Sequence, residues 1–414
     1  PELGEENIQE MSFDLFAYRK LQDTAADCED RCDQIEREMR DPKAAERFAL
    51  KQSQAFVDQI EGFALELEDE LMNFSDVSYK SFVKSESEII TLFYDKFADI
   101  PLLSRMDAVA ETFIDEIETL LNRDLPEEER IPLIEKFRKM YETMDFYVLY
   151  NRFLKKEGYQ TLPRRPLEKR KLRYEDVYPV LYLKYRLSRQ AERSNIKHLV
   201  IDEMQDYSRL QYLIIRRMFS CKMTILGDRA QTMADQQQDV LQFLPGIFGK
   251  DLRRIEMRKS YRNTVEIASY AANLIGVTDL ELFERHGMPV LERDVTDLEA
   301  ALREAVDTLF PEEKTYETAA VIVPDEKTAE RAYLILLEIL AEKDFDCEKR
   351  LSWLNRDSSS FKKGLTVTTF YLAKGLEFDQ VFSIFPKDEK REMMMQAQYI
   401  AATRALHELR VYHI

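Results

Sequence analysis

The chain is poor in glycine, with ten in 414 residues, and in cysteine and histidine, with four of each. So few glycines leave little room for a phosphate cradle of backbone amides. The single Gly-Lys pair, Gly249-Lys250, is followed by Asp251, where a G-x-x-x-x-G-K-[ST] loop needs Ser or Thr. Four cysteines do not make a disulfide framework and suit a reducing cytoplasm. Cys28 and Cys32 lie four apart on a helical pattern, but no His or Cys cluster joins them. A structural role is expected, not a metal site. Positive charge is also in deficit. A net charge of -18 argues against a DNA-coating protein, although a basic groove can sit on an acidic body. No apolar run reaches the roughly 18 residues a membrane span needs, and no signal peptide is visible. The opening, P-E-L-G-E-E-N-I-Q-E, lacks Met and reads as the middle of a longer sequence.

What is present is a chain 45% apolar, enough for two or three domains with cores of their own. A loop and short strand are expected up to Met11–Phe13. Asp41-Pro42 then marks a helix start, Asp as N-cap and Pro at the first helical position. Phe48, Phe56, Ile60, Phe63, Leu67 and Leu71 follow at helical spacing. Further helical patterns run over 85–97, 103–121 and 131–157, so 41–162 reads as one helical subdomain. The basic stretch P-R-R-P-L-E-K-R-K-L-R-Y, 163–174, is either a phosphate-contacting segment or a solvated linker. Beyond Tyr174 the texture changes. Buried strands are expected at 196–202 and 223–227, with β-like runs at 319–323, 365–370 and 380–385. Strands alternating with helices imply parallel α/β sheets.

Five segments carry candidate chemistry. In L-V-I-D-E-M-Q-D, 199–206, a strand delivers Asp202 and Glu203 to its carboxyl end, where ligands of parallel sheets bind. Asp202 can hold Mg²⁺, and Glu203 can join it as a metal ligand or orient an attacking water. Gln205 can sense a γ-phosphate, and Asp206 can fix the turn. In T-I-L-G-D-R-A-Q-T-M, 224–233, Gly227-Asp228 ends a second strand and Gln231 follows; the bland alternative is an ordinary strand and turn. In K-S-Y-R-N-T-V-E-I-A-S, 259–269, Asn263 or Thr264 caps a helix, and Arg262 just before it can fork onto phosphate. In L-T-V-T-T-F-Y-L-A-K-G-L-E-F-D, 365–379, Gly375 lets backbone approach a ligand and Glu377 can accept from a ribose hydroxyl. Thr368, Thr369 and Lys374 are candidates for a nucleic-acid backbone. In Q-Y-I-A-A-T-R-A-L, 398–406, Arg404 near a helix end is either a surface arginine or an arginine finger.

Taken in this order, D-E-x-Q-D, G-D-x-x-Q, Y-R, K-G-L-E-F-D and Y-x-A-x-T-R-A resemble the motifs of superfamily 1 helicases of the UvrD/Rep type over about 199–414. The opening P-E-L-G-E-E-N and the short path from Arg262 to Lys374 are most similar to the HelD branch, helicase-like factors associated with bacterial RNA polymerase. The resemblance implies an α/β fold of two RecA-like P-loop NTPase domains, parallel sheets with flanking helices. The first would be incomplete and carry a helical insertion: 1–40 its remnant, 41–162 the insertion, 163–250 its remainder, and 251–414 the second domain. It implies ATP and Mg²⁺ as cofactors. Gln205 and Gln231 would couple the γ-phosphate to movement, with Arg262 and Arg404 reaching it from the second domain. Tyr261, Gly227, Asp228, Gly375 and Glu377 would line the nucleotide. Single- or double-stranded DNA is the implied partner, RNA polymerase the alternative, and a cytoplasmic monomer the implied state. The departure is the missing phosphate loop, so these 414 residues are expected to bind ATP weakly or not at all and to be inactive alone.

Overall fold

A computed structural model describes residues 10–189, 196–228, 240–257, 259–277, 281–343, 345–356, 358, 363–387 and 391–414. The chain divides into two compact units, Pro1–Leu226 with Val240–Lys250, and Gly227–Asp239 with Asp251–Ile414.

The first unit is mostly helical. Its helices are α1 (Phe13–Lys20), α2 (Arg31–Arg40), α3 (Pro42–Gln52), α4 (Gln54–Glu70), α5 (Glu86–Thr91), α6 (Arg105–Leu121), α7 (Glu127–Arg138), α8 (Phe146–Lys156), α9 (Tyr174–Leu187), α10 (Arg209–Met218) and α11 (Val240–Phe248). Its short strands pair locally. β1 (Asp27–Cys28) lies parallel to β4 (Lys171–Leu172), β2 (Val77–Tyr79) forms a hairpin with β3 (Phe82–Lys84), and β5 (His198–Ile201) lies parallel to β6 (Lys222–Ile225).

Local signals explain most helix starts. Asp41 accepts from the Lys43 amide at 3.0 Å, with Pro42 in the first turn, a cap worth about 1 kcal/mol. Two expectations fail. Ser12 caps α1 at Phe13, so Met11–Phe13 ends no strand. The helical pattern 131–157 breaks after Arg138, because Asp145 caps a new helix and its carboxylate also takes the Arg170 guanidinium at 2.7 Å.

At the centre of this unit α9 is buried on nearly every side, with acidic residues inside it. Lys51 reaches Glu175 at 3.0 Å and Asp176 at 2.7 Å, and the Tyr150 hydroxyl donates to Asp176 at 2.7 Å. Buried charge survives only when paired in this way.

The second unit carries β7 (Lys259–Ser260) parallel to β8 (Glu281–Leu282), then β9 (Leu291–Asp294), β10 (Thr318–Val323), β11 (Leu351–Trp353), β12 (Gly364–Thr369), β13 (Phe378–Phe385) and β14 (Ala405–His413). The last six form one wholly parallel sheet in the order β11-β12-β10-β13-β14-β9. The helices are α12 (Val265–Ile275), α13 (Leu298–Asp307), α14 (Glu326–Ala341), α15 (Cys347–Arg350) and α16 (Glu392–Thr403). Alternate residues Ala319, Val321, Val323, Leu365, Val367, Phe382 and Ile384 pack with α13 and α14 in one core. Meanwhile α12 and α16 pack on each other, and α16 on β13 and β14. The expected α/β class with parallel sheets is what the structure shows. Among the described residues, no helix is long and apolar enough to cross a membrane.

Candidate functional site

In the first unit, β5 runs out at Ile201 and leaves Asp202 exposed at its carboxyl end. Glu203 adopts φ +52°, a left-handed conformation that costs a non-glycine residue energy and turns the chain sharply into the 3-10 turn Met204–Asp206. The turn is bolted down by backbone. The Leu226 amide donates to Ile201 O and the Met204 amide to Leu226 O, both at 2.8 Å, which brings the end of β6 beside the carboxylates. Asp202 Oδ1 accepts from the Glu203 amide at 2.9 Å, and Gln205 Nε2 donates to Glu203 Oε2 at 2.5 Å. Adjacent carboxylates of this kind suit a hard cation that keeps waters and phosphate oxygens as its remaining ligands. Among the described residues no group of three or more His, Cys, Asp or Glu stands ready to hold an ion. Gln231 lies outside the described residues.

The strand differs from expectation. Val200 is 60% exposed, because among the described residues this sheet has two strands and two strands cannot cover both faces. Behind the turn, sequence reasoning missed Arg31, a half-buried guanidinium that feels Asp206, pairs with Glu38 at 3.0 Å and stacks over Phe48. Burial, with Asp14, Asp206 and Asp202 nearby, pushes the Tyr207 hydroxyl up to about 12. In the basic stretch 163–174, Arg170 is committed to Asp145 and the Tyr147 ring, while Arg164 and Arg165 are exposed.

In the second unit, three motifs are tied into one hydrogen-bonded knot. Thr264 caps α12, accepting from the Ile267 amide at 3.4 Å. The preceding Asn263 is buried, and its Nδ2 donates to Thr403 O at 3.2 Å and Ala405 O at 2.7 Å. The Phe378 amide donates to Arg404 O at 3.0 Å. Arg262 Nε meets Glu377 Oε1 at 2.6 Å, both side chains partly exposed. Tyr399 lies near Asp228, Arg262 and Arg404; burial is the largest influence on its hydroxyl and raises it well above the usual phenol range. Asn263's reach was not legible from spacing, whereas Tyr399 is the first residue of the Y-x-A-x-T-R-A motif.

Arg404 is 1% exposed. Its guanidinium donates to Leu376 O at 3.4 Å and to Thr403 Oγ1 at 3.2 Å, with Nε to Ile400 O at 3.3 Å. It therefore holds up the short crossover from β12 to β13, which carries Lys374, Gly375 and Glu377, and does not stand at a surface as a finger would. Gly375 has φ +80°, and nothing lies within 4 Å of where a Cβ would sit, so glycine serves backbone conformation there. Thr368 and Thr369 are buried in the central strand β12. The first donates to Leu354 O and the second accepts from the Leu372 amide, so neither hydroxyl is offered to a nucleic-acid strand in this structure. Lys374 is half-buried on the crossover.

Tyr261 is 59% exposed, and its ring packs against Phe283, itself 43% exposed, with centroids 5.4 Å apart and planes 38° off parallel. Arg285 Nη2 donates to Arg262 O and, at 2.7 Å, to Leu406 O. The Val265 amide donates to Arg285 O at 2.9 Å. Glu266 accepts from the Gly287 amide at 2.8 Å and meets His286 Nδ1 at 2.9 Å. The His286 contact is the chief reason its carboxyl falls to about 2.

The family model described as UvrD/REP helicase N-terminal domain matches residues 4–233. No curated protein matches the chain. Among solved structures, the C-terminal domain of a possible DNA helicase from Lactobacillus plantarum WCFS1 is similar at 22% identity and a TM-score of 0.30, covering 37% of this chain and 88% of that one. The PRRSV helicase is similar at 15% identity and a TM-score of 0.30, covering 64% of this chain and 45% of its own. Arterivirus nonstructural protein 10 (helicase), solved in complex with DNA, is similar at 15% identity and a TM-score of 0.28, covering 65% and 51%. The chain thus spans about half the length of these viral helicases.

Proposed function

The chain belongs to the UvrD/REP helicase family, whose model covers more than half of it, and from that premise we propose that it is part of an ATP-driven superfamily 1 motor on nucleic acid. The observation that carries the reading is the placement of Asp202 and Glu203. They sit at the carboxyl end of a parallel strand, on a turn fixed to the neighbouring strand's Leu226 just ahead of Gly227-Asp228. Bound Mg²⁺ would neutralise phosphate charge as the terminal phosphoryl group leaves. Asp202 would hold that ion, Glu203 would orient the attacking water, and Gln205, already on the Glu203 carboxylate, would report the γ-phosphate. We place the two RecA-like domains at 1–40 with 163–250 and at 251–414, with 41–162 as the insertion. In the second, Tyr261, Arg262 and Glu377 would meet base, phosphate and ribose.

Arg262 is engaged by Glu377, so phosphate must compete with a carboxylate for it. With no Gly-rich loop in these residues to supply backbone amides, ATP affinity is expected in the millimolar range or weaker. Calorimetric titration of the 414 residues with Mg-ATP tests this; saturation at low micromolar ATP refutes it.

The second reading is a factor of the HelD branch that binds RNA polymerase and uses ATP as a switch, without processive unwinding. The net charge of -18 and the short path between the Y-R and K-G-L-E-F-D motifs favour it. Anisotropy of a labelled single-stranded oligonucleotide separates the two. Salt-dependent binding that Mg-ATP alters supports the motor; no DNA binding, with retention on RNA polymerase, supports the factor.

A further inference from the structure

Two large aromatic rings standing exposed and packed on each other are unusual in a soluble domain, because burying them would stabilise it by kilocalories each. Tyr261 and Phe283 do so next to Arg262. The loop that carries Phe283 is tied down at successive residues, and each tie lands on the Y-R-N-T turn, on α12 or on the T-R-A-L segment. The guanidinium of Arg285 bridges Arg262 O and Leu406 O, and its carbonyl takes the Val265 amide. His286 and the Gly287 amide engage Glu266 in the first turn of α12. Gly287 passes so close to Thr264 that a Cβ there would lie 2.6 Å from Thr264 Cγ2, so the approach admits only glycine. At the other end of the loop, β8 pairs with β7, which leads directly into Tyr261.

We propose that the loop Phe283–Gly287 is a positioning brace. Phe283 backs the exposed Tyr261 ring that meets the nucleobase, and Arg285 fixes the backbone of Arg262 so that the neighbouring guanidinium meets the phosphates of the same nucleotide. The nucleobase half rests on the ATP reading above; the brace itself does not. Phe283 and Arg285 touch no reacting atom and act through Tyr261 and Arg262. The packing predicts different failures. Loss of the Phe283 ring frees the base-facing ring and leaves the phosphate-facing cation alone. Loss of the Arg285 guanidinium frees the backbone of both.

Two measurements on the 414-residue chain test this. Saturation-transfer NMR with millimolar Mg-ATP reads contact at the adenine H2 and H8 protons, and competition with inorganic tripolyphosphate reads the phosphate grip. Expected for Phe283→Ala is about tenfold weaker ATP binding, the size of a lost aromatic stacking partner. Tripolyphosphate binding should be unchanged, and Phe283→Trp should restore the ATP signal. Equal weakening of both ligands, or of neither, overturns the role of Phe283. Amide exchange at Val265, whose amide donates to Arg285 O, is the second readout and needs no ligand. Arg285→Met should raise exchange there at least tenfold while β10 and β13 stay protected, whereas unchanged or chain-wide exchange overturns the brace. If the unaltered chain transfers no saturation to ATP, the nucleobase half falls, and the exchange result alone decides the brace.

Discussion

The two units present their motif residues on very different scaffolds. In the first, Asp202 and Glu203 stand at the end of a two-stranded pair whose Val200 faces solvent, and the turn is held by two backbone bonds to Leu226 and a strained Glu203. In the second, the motifs Y-R, K-G-L-E-F-D and T-R-A converge on a six-stranded parallel sheet and are knotted by Asn263, Arg285 and Arg404. A residue type therefore says little about what its side chain does. Arg262 and Arg404 both read as phosphate-seeking arginines in the sequence. One sits partly exposed on a carboxylate, and the other is a buried strut between a helix end and a crossover.

That contrast is broken most severely by truncating each arginine. Arg404→Ala removes a fully buried guanidinium with donors on Leu376 O and Ile400 O, taking those bonds away and leaving a cavity behind. A loss of about 3–5 kcal/mol is expected from a buried, hydrogen-bonded charge site. Arg262→Ala breaks a partly exposed pair and should cost about 0–1 kcal/mol. Urea unfolding followed by circular dichroism reads both. Equal losses would mean that Arg404 is as dispensable to the fold as its neighbour.

Much of this arrangement is legible in the sequence, and the illegible part has a common cause. Asp41-Pro42 and Thr264 announce their helices because capping is a matter of three or four consecutive residues. The runs at 319–323, 365–370 and 380–385 become β10, β12 and β13, since strands covered on both faces read as continuous apolar or β-branched stretches. β14 is not legible as a strand, because L-H-E-L-R-V-Y-H lacks strict alternation and its cover comes from β13 and β9 on either side. The break in 131–157 depends on Asp145 meeting Arg170 from a distant segment. Burial of Thr368 and Thr369, and the reach of Asn263 to Thr403 O, depend on sheet order, which spacing alone does not encode. Long-range pairing decided each of these.

The sheets themselves can be compared by one substitution made twice. Val321 is fully buried in central β10, and Val321→Ala should destabilise by about 2 kcal/mol through lost burial and an unfilled space. Val200→Ala, on the exposed face of β5, should change stability by about 0.5 kcal/mol or less. Thermal unfolding of the two variants measures the difference. A large effect at Val200 would show that something covers the β5 face in solution, and the contrast between a closed sheet and an open pair would collapse.

The smallest expected effect concerns the tie between the Phe283–Gly287 loop and α12. Glu266 has a folded value of about 2, below its ordinary 4.5, because His286 and then the Gly287 amide favour the carboxylate. A depressed carboxyl contributes stability that is complete above the unfolded value and is lost as pH falls through the folded one. Between about pH 5 and pH 2 the tie should therefore weaken progressively. The group is partly exposed, so the change should be small and screened by salt. Amide exchange at Gly287, compared at pH 5 and pH 3 after correction for the intrinsic rate, should show the opening. Glu266→Gln should keep much of the amide contact and flatten the pH dependence. An unchanged pH dependence in that variant would assign the opening to another carboxylate of the unit.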